Sequence, residues 1–252
     1  MNDNRTIDFL GARINNYSLE ELEEHIFKLV ETKTPSHVVG VNVDQVLKIN
    51  KDRYSKEIFD NATIVFTDGK PIMWMAGWLG TPIIERTTGP DLMLELCKGA
   101  ALKGYRVFLL GAGPGVAKMA ADKLRNQVPS LIVTGTYSPP FGFEKDDMEL
   151  NKINEMLRAS CSDMLFVGMG SPKQDIFIYE NKDKYNIPVS FSMGAAIDFI
   201  AGNVKRAPRW MIAIGLEWFY RVLQDPRRLW KRYFIDAWAI VPLFLHACRH
   251  KD

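Results

Sequence analysis

Asp68 is the residue whose setting most invites chemistry. It follows the apolar run Ile64, Val65 and Phe66 and stands directly before Gly69. A carboxylate at the mouth of a strand, walled in part by apolar groups, is well placed for general-base work. The plainer alternative is a cap for the helix that Pro71 opens. Three small-residue turns accompany it. Gly111-Ala112-Gly113-Pro114-Gly115 lies between a strand and a helix, and its N–H groups suit either a diphosphate or a simple tight turn. Gly168-Met169-Gly170-Ser171-Pro172-Lys173-Gln174-Asp175 puts an amide and a carboxylate on a first helical turn. These can hold sugar hydroxyls or phosphate oxygens, or cap the helix. Gly194-Ala195-Ala196 lets a helix N-terminus approach an anion closely. Asp198, one turn on, can cap that helix or accept hydrogen bonds from a ligand.

Several chemistries are disfavoured. The GxGxG spacing departs from a dinucleotide fingerprint, and the next strand, over residues 131–136, ends without the acid that would hold a ribose. A nicotinamide cofactor is therefore not expected. The chain has no DxD, HxH or HExxH and only four histidines, so no metal is expected either. A bound diphosphate would then be met by arginine, lysine and backbone N–H groups. The three cysteines are widely spaced, which argues against a disulfide framework or a zinc site and fits a reducing cytoplasm.

Net charge is +2, but it is unevenly divided. Residues 203–252 hold ten Lys or Arg against four Asp or Glu, a net of +6. The remainder holds 22 basic and 26 acidic residues, a net of −4. Arg206, Arg209, Arg221, Arg228 and Arg232 are interleaved there with Trp210, Trp218, Phe219, Tyr220, Trp230 and Tyr233. Guanidinium groups among aromatics suit a surface that meets phosphates beside something apolar; a solvated basic face is the plainer alternative. Arg221, Arg228 and Arg232 are spaced by seven and four residues, which puts them on one face if a single helix carries them. The apolar segment 237–248 is interrupted by Pro242 and His246 and falls short of the roughly 20 residues of a bilayer span. Residues 1–10 hold no apolar signal core.

The elements that must position these groups alternate strand and helix. Strands are expected over 7–10, 37–41, 62–66, 105–110, 131–136, 163–167 and 187–191, and helices over 19–32, 92–103 and 145–160, with Ser18 capping the first. Others are expected after Asn42, from Pro71, and after the glycine turns. Repeated βα units of this length predict an α/β fold: a Rossmann-like parallel sheet with helices on both faces. The expected organisation is a core over 1–202 and a basic, aromatic, helical, membrane-associating appendage over 203–252. Asn42, Asp68 and the three small-residue turns then all fall at strand ends, where open α/β sheets bind ligands.

Over nearly its whole length the chain resembles the WecG/TagA/CpsF family of bacterial glycosyltransferases. The matching pieces are Asn42, Thr67-Asp68-Gly69, the turn 86–91 and the 168–175 loop. The longest match is 194–233, with Asp198-Phe199, Arg206-Ala207-Pro208, Glu217-Trp218, Asp225-Pro226-Arg227-Arg228 and Arg232-Tyr233. The resemblance implies an inverting, metal-independent transfer of a sugar from a UDP-sugar to a polyprenyl-diphosphate-linked saccharide, in teichoic acid or exopolysaccharide synthesis. It implies peripheral attachment to the inner face of the cell membrane and no cofactor or nucleic-acid partner, and it leaves a homo-oligomer open. Asp68 becomes the base. Asn42, Arg86, Gly111, Gly113, Gly168, Gly170, Gln174, Gly194 and Asp198 become the donor site. Arg206, Arg209, Arg221, Arg228 and Arg232 become the acceptor-diphosphate and membrane groups. Gly40 stands where the teichoic-acid branch has threonine, so a wider donor-sugar pocket is expected and the sugar is open between N-acetylmannosamine and a glucosyl, uronic-acid or other hexosyl group. The competing classes are an α/β enzyme with a nucleotide cofactor, and a non-enzymatic module that binds membrane or nucleic acid through the tail.

Overall fold

The computed structural model describes residues 5–249, apart from the side chain of Arg228. The first four residues, part of the stretch read as lacking a signal core, and the last three, which end the expected appendage, lie outside that range. Six strands form one parallel sheet: β3 (Ser36–Val41), β4 (Ile64–Thr67), β5 (Arg106–Gly111), β6 (Ile132–Tyr137), β7 (Met164–Gly168) and β8 (Val189–Ser192). They lie in the order β4-β3-β8-β7-β5-β6. Their side chains alternate between two apolar layers, as period-2 strands buried on both faces must. Val38, Phe166 and Phe191 pack one way, with helices α1 (Leu19–Thr32), α5 (Gly89–Lys103), α6 (Val116–Gln127) and α9 (Ala196–Ala201). Val39, Val41, Leu165 and Val167 face the other side, against α2 (Val43–Lys51), α3 (Arg53–Asp60), α4 (Lys70–Trp78), α7 (Asp147–Ser160) and α8 (Lys173–Tyr185). This is the expected α/β sheet with helices on both faces.

Local signals explain the boundaries. Ser18 caps α1 in a full capping box with Glu21, as its position predicts. The N-terminal region holds two strands, β1 (Thr6–Phe9) and β2 (Ala12–Asn15), paired antiparallel, where the sequence predicts one. The second strand escapes notice because only Ala12 and Ile14 face inward over four residues. Helix α3 is equally quiet in sequence, burying only Ser55, Ile58 and Phe59 behind an Asp52 cap.

After the core come α10 (Arg209–Ala213), α11 (Glu217–Gln224) and α12 (Pro226–Arg249). Helix α12 folds back over its own core: Ile240 is buried in the same apolar cluster as Val46, Ile72 and Met75. Trp230, Phe234 and Trp238, four residues apart, stay exposed and form a ladder with ring centroids 6.3 and 6.1 Å apart. No helix among the described residues is long and apolar enough to cross a membrane.

The strand ends pack tightly. Gly111 has φ of 109°, and a Cβ there would lie 2.6 Å from the Gly168 carbonyl oxygen; Gly115 in the same turn has φ of 78° with open space around it. Gly115→Ala should therefore cost only the left-handed backbone penalty of about 1–2 kcal/mol. Gly111→Ala must also push β5 away from β7 and should cost on the order of 3 kcal/mol or more. Urea unfolding of both variants checks this order. Equal losses would mean that the strand ends yield more readily than their spacing implies.

Candidate active site

Two cavities open along the carboxyl edge of the sheet, and Asp68 stands where they meet. The larger, about 900 Å³, runs from Gly40 and Asn42 along Gly111, Gly113, Gly168, Gly170, Gln174, Gly194 and Asp198, with Pro140 and Phe141 at one rim. The smaller, about 400 Å³, lies between the core and the appendage, lined by Lys70, Pro71, Met75, Arg86, Glu217, Trp218, Tyr233 and Ile240 among others. Asn42, Asp68, Arg221 and Arg232 line both. The strand order makes this convergence possible. Strands β4, β3, β8, β7 and β5 are consecutive neighbours, so the turns after them sit side by side.

Asp68 is not a helix cap. Helix α4 begins after Gly69 with no side-chain cap. Asp68 retains some contact with the cleft, yet the surrounding protein strips most water from it, and that burial is the main reason its pKa rises to about 6. The Glu217 carboxylate pushes the same way, while Arg86, Arg221 and Arg206 oppose it. No described residue donates a hydrogen bond to its side chain, which leaves the carboxylate oxygens open to a ligand hydroxyl.

Gln174 is not a helix cap either; helix α8 has none from a side chain. Its Oε1 accepts from Gly170 N at 3.2 Å and Gly194 N at 2.9 Å, stapling two of the expected turns together. Asn42 does cap a helix, since its Oδ1 accepts from Asp44 N while Gln45 returns the bond, yet it also lines both cavities. Asp198 accepts from Asn203 Nδ2 at 2.8 Å at the end of α9. Beneath the larger cavity, His37 Nε2 meets Ser192 Oγ at 2.9 Å, and burial pushes His37 down to about 3, so its ring is neutral. Burial pushes Asp175 up, opposed by Ser192, Ser171, Lys48 and Gln174 nearby, and neither of its oxygens has a partner with hydrogen-bond geometry.

The space beside Gly40 is filled rather than widened. A Cβ there would lie 2.9 Å from Phe66 Cζ and 3.2 Å from Asp68 Cβ, so the Phe66 ring takes up the volume that a larger residue would need. The expected wider pocket is corrected on that ground.

The arginines divide. Arg221 and Arg232 face both cavities. They do so from two helices, because α11 ends at Gln224, so the expectation of one continuous helical face fails. Arg232 pairs with Asp44 at 2.7 Å, and Arg221 lies over the Phe199 ring. Arg206 is spent as a clasp between appendage and core, bonding Asp91 at 2.6 Å and Thr88 at 2.9 Å. Those bonds hold the Asp91 carboxyl below its usual range. Arg86 lines the smaller cavity, not the larger one, and lies 3.8 Å from Glu217. Arg209 is exposed and lines neither cavity, so the structure does not bring it into the site. The Arg228 side chain lies outside the described ones. Glu217 and Asp44 carry no role in the sequence reading. The signal available for Glu217 was its place as one of few acids within a basic, aromatic stretch.

Residues 7–252 match the family described as the Glycosyl transferase WecG/TagA/CpsF family. Among curated proteins, the chain is 31% identical to the N-acetylglucosaminyldiphosphoundecaprenol N-acetyl-beta-D-mannosaminyltransferase of Bacillus subtilis (strain 168), covering 94% of this chain and 89% of that one. It is 33% identical to the protein of the same name from Bacillus spizizenii, covering 90% and 84%. The protein of that name from Staphylococcus aureus (strain MW2) is 27% identical, covering 95% and 91%.

Asp68 also carries a stability consequence. Its folded-state pKa, about 6, lies above its ordinary value of 3.8. Ionising it therefore costs folding free energy: nothing below the ordinary value, and progressively more as pH rises through about 6. Asp68→Asn should raise the melting temperature above neutral pH, and the gain should shrink below about pH 6 and vanish below 3.8. A variant that melts lower at pH above 7 would make Asp68 a structural partner instead.

Proposed function

The chain belongs to the WecG/TagA/CpsF family of glycosyl transferases, and from this we propose that it moves a hexosyl group from a UDP-sugar to a polyprenyl-diphosphate-linked saccharide, with inversion and without a metal ion. The observation that carries the reading is Asp68, unbonded and partly desolvated, between two cavities of unequal size and character. The larger suits a nucleotide-sugar, with the Gly113 and Gly115 N–H groups, which Gln174 does not occupy, toward its diphosphate. The smaller, lined by Met75, Trp218, Tyr233 and Ile240 beside guanidinium groups, suits a saccharide diphosphate with a lipid tail.

In this reading the acceptor hydroxyl oxygen attacks the anomeric carbon from the smaller cavity. The bond from that carbon to the UDP oxygen breaks, its electron pair leaves with the diphosphate, and Asp68 takes the hydroxyl proton. Arg221, which makes no ion pair with a described residue, meets the charge that develops on the leaving group. Its planar fork matches phosphate oxygens, the role magnesium fills elsewhere. Among the described residues no three His, Cys, Asp or Glu side chains are grouped to hold a metal ion.

The curated relatives are named for N-acetylmannosaminyl transfer to N-acetylglucosaminyl-diphosphoundecaprenol. That pair of substrates is the first to assay here. The filled volume beside Gly40 removes the steric reason to set N-acetylmannosamine aside. A role in cell-surface polysaccharide synthesis, of the teichoic acid or exopolysaccharide type, follows from such an acceptor. In excess EDTA, transfer should proceed at full rate and fall away below about pH 6, as Asp68 takes up its proton. Asp68→Asn should lower kcat by about 10²–10⁴-fold with donor affinity little changed. Near-normal kcat in the variant would remove the base assignment. Dependence on added magnesium would remove the guanidinium account.

Attachment to the inner face of the membrane is the companion proposal, with residues 203–252 as the anchor on a catalytic core over 1–202. It is supported by the exposed Trp230, Phe234 and Trp238 ladder on a helix whose sequence also carries Arg227, Lys231 and Arg232. Replacing the three aromatics together by serine should release the protein from anionic vesicles by at least tenfold. Transfer to a short-chain, water-soluble acceptor should be preserved. Unchanged vesicle binding would make the ladder a surface for something other than lipid.

A further inference from the structure

We propose that Glu217 is a positioning residue that keeps Asp68 free to act as a base, by engaging the guanidinium groups that would otherwise close on Asp68 itself. The inference rests on the reading of Asp68 as the base and adds a second carboxylate that this base requires.

Three guanidinium groups act on Asp68: Arg86 from the connection before α5, Arg206 from the stretch before α10, and Arg221 from α11. A carboxylate so surrounded ordinarily becomes an ion pair with a depressed pKa, and is then a poor base. Asp68 escapes that outcome, since no ion pair or side-chain hydrogen bond joins it to a described residue. Arg206 is held by Asp91 and Thr88, and its buried Nε has no hydrogen-bond partner and lies 3.7 Å from Glu217. Arg86 has one ion pair among the described residues, again with Glu217, at 3.8 Å.

The Glu217 side chain makes no hydrogen bond with a described residue. It therefore stands between the two guanidinium groups and offsets their charge without a rigid bond to either. It is also the acidic group that acts on Asp68 in the opposite sense to the arginines. Of the other charged side chains around the smaller cavity, Arg221 lies over the Phe199 ring without an ion pair to a described residue, and Arg232 and Lys70 are engaged elsewhere. Arg232 pairs with Asp44 and lies 3.7 Å from Asp236. Lys70 donates to the Ala213 carbonyl. Without the Glu217 charge, Arg86 would have Asp68 as the remaining carboxylate within the cavity wall to turn toward. Because Glu217 belongs to α11, the appendage brings the group that preserves the base as well as the arginines that meet the phosphates.

The test is kcat for sugar transfer as a function of pH, at saturating donor and acceptor, for wild type, Glu217→Gln and Glu217→Asp. Glu217→Gln keeps the shape and removes the charge. It should lower kcat at neutral pH about 10- to 100-fold and move the acid limb of the profile down by about one pH unit. Both KM values should stay within about twofold of wild type. Glu217→Asp should recover most of the rate, and in an Asp68→Asn background Glu217→Gln should do no further harm. An acid limb that stays in place while kcat falls would overturn the proposal, as would a raised acceptor KM at unchanged kcat, which marks direct substrate contact. Should Glu217→Gln fail to fold, Glu217→Ala, which also removes the charge, must shift the limb down in its place, or the proposal falls. Loss of the base reading would show separately, as an Asp68→Asn enzyme that turns over normally.

Discussion

The site depends on a carboxylate that is stripped of water and left without a partner. Burial makes the ionised form of Asp68 costly, and three nearby arginines would make it cheap again by pairing with it. The observed arrangement lies between those limits. Asp91 and Thr88 occupy Arg206, Glu217 faces both Arg206 and Arg86, and Phe199 lies under Arg221. The result is an oxygen pair basic enough to accept a proton and open enough to be reached. The appendage matters for the same reason, because Arg206, Glu217 and Arg221 all come from beyond residue 203 and close over a core that supplies Asp68 and Arg86.

The parallel sheet provides the frame for that closure. Five neighbouring strands end in one row, so short turns from distant parts of the chain meet without long loops. Gly111 and Gly168 let those ends approach to distances that no side chain would permit, and Gln174 ties two of the turns through their backbone N–H groups. A cleft built from backbone and fixed by packing is suited to a diphosphate, whose oxygens need donors more than they need specific side chains.

Much of this was legible in the sequence because it is written in local patterns. Buried βα units announce a parallel sheet, and glycine turns after apolar runs announce the edge along which the cavities open. What the sequence could not distinguish was the job of each polar group within a turn. Asn42 proved to be a cap as well as a wall, while Asp68 and Gln174 proved not to be caps at all. Those outcomes hinge on backbone angles at Gly69 and Pro172, not on residue type. The tail was legible as basic and aromatic, but not as three helices of which the last two are broken before Pro226. Arg221 and Arg232 therefore converge through tertiary packing and not through helical spacing. Arg209, equally basic, points elsewhere. Glu217 was hidden because its role exists only opposite arginines from other segments.

The most direct test of the central claim, that Asp68 lies between a donor cavity and an acceptor cavity, is a ternary crystal structure with a non-transferable UDP-sugar analogue and a short-chain diphosphate-linked saccharide. The account predicts the nucleotide along the glycine turns with its diphosphate near Arg221, and the acceptor diphosphate in the smaller cavity. It also predicts one acceptor hydroxyl within about 2.6–3.2 Å of Asp68, on the side of the anomeric carbon opposite the leaving diphosphate. A donor seated in the smaller cavity, or an acceptor hydroxyl directed away from Asp68 toward another base, would contradict it.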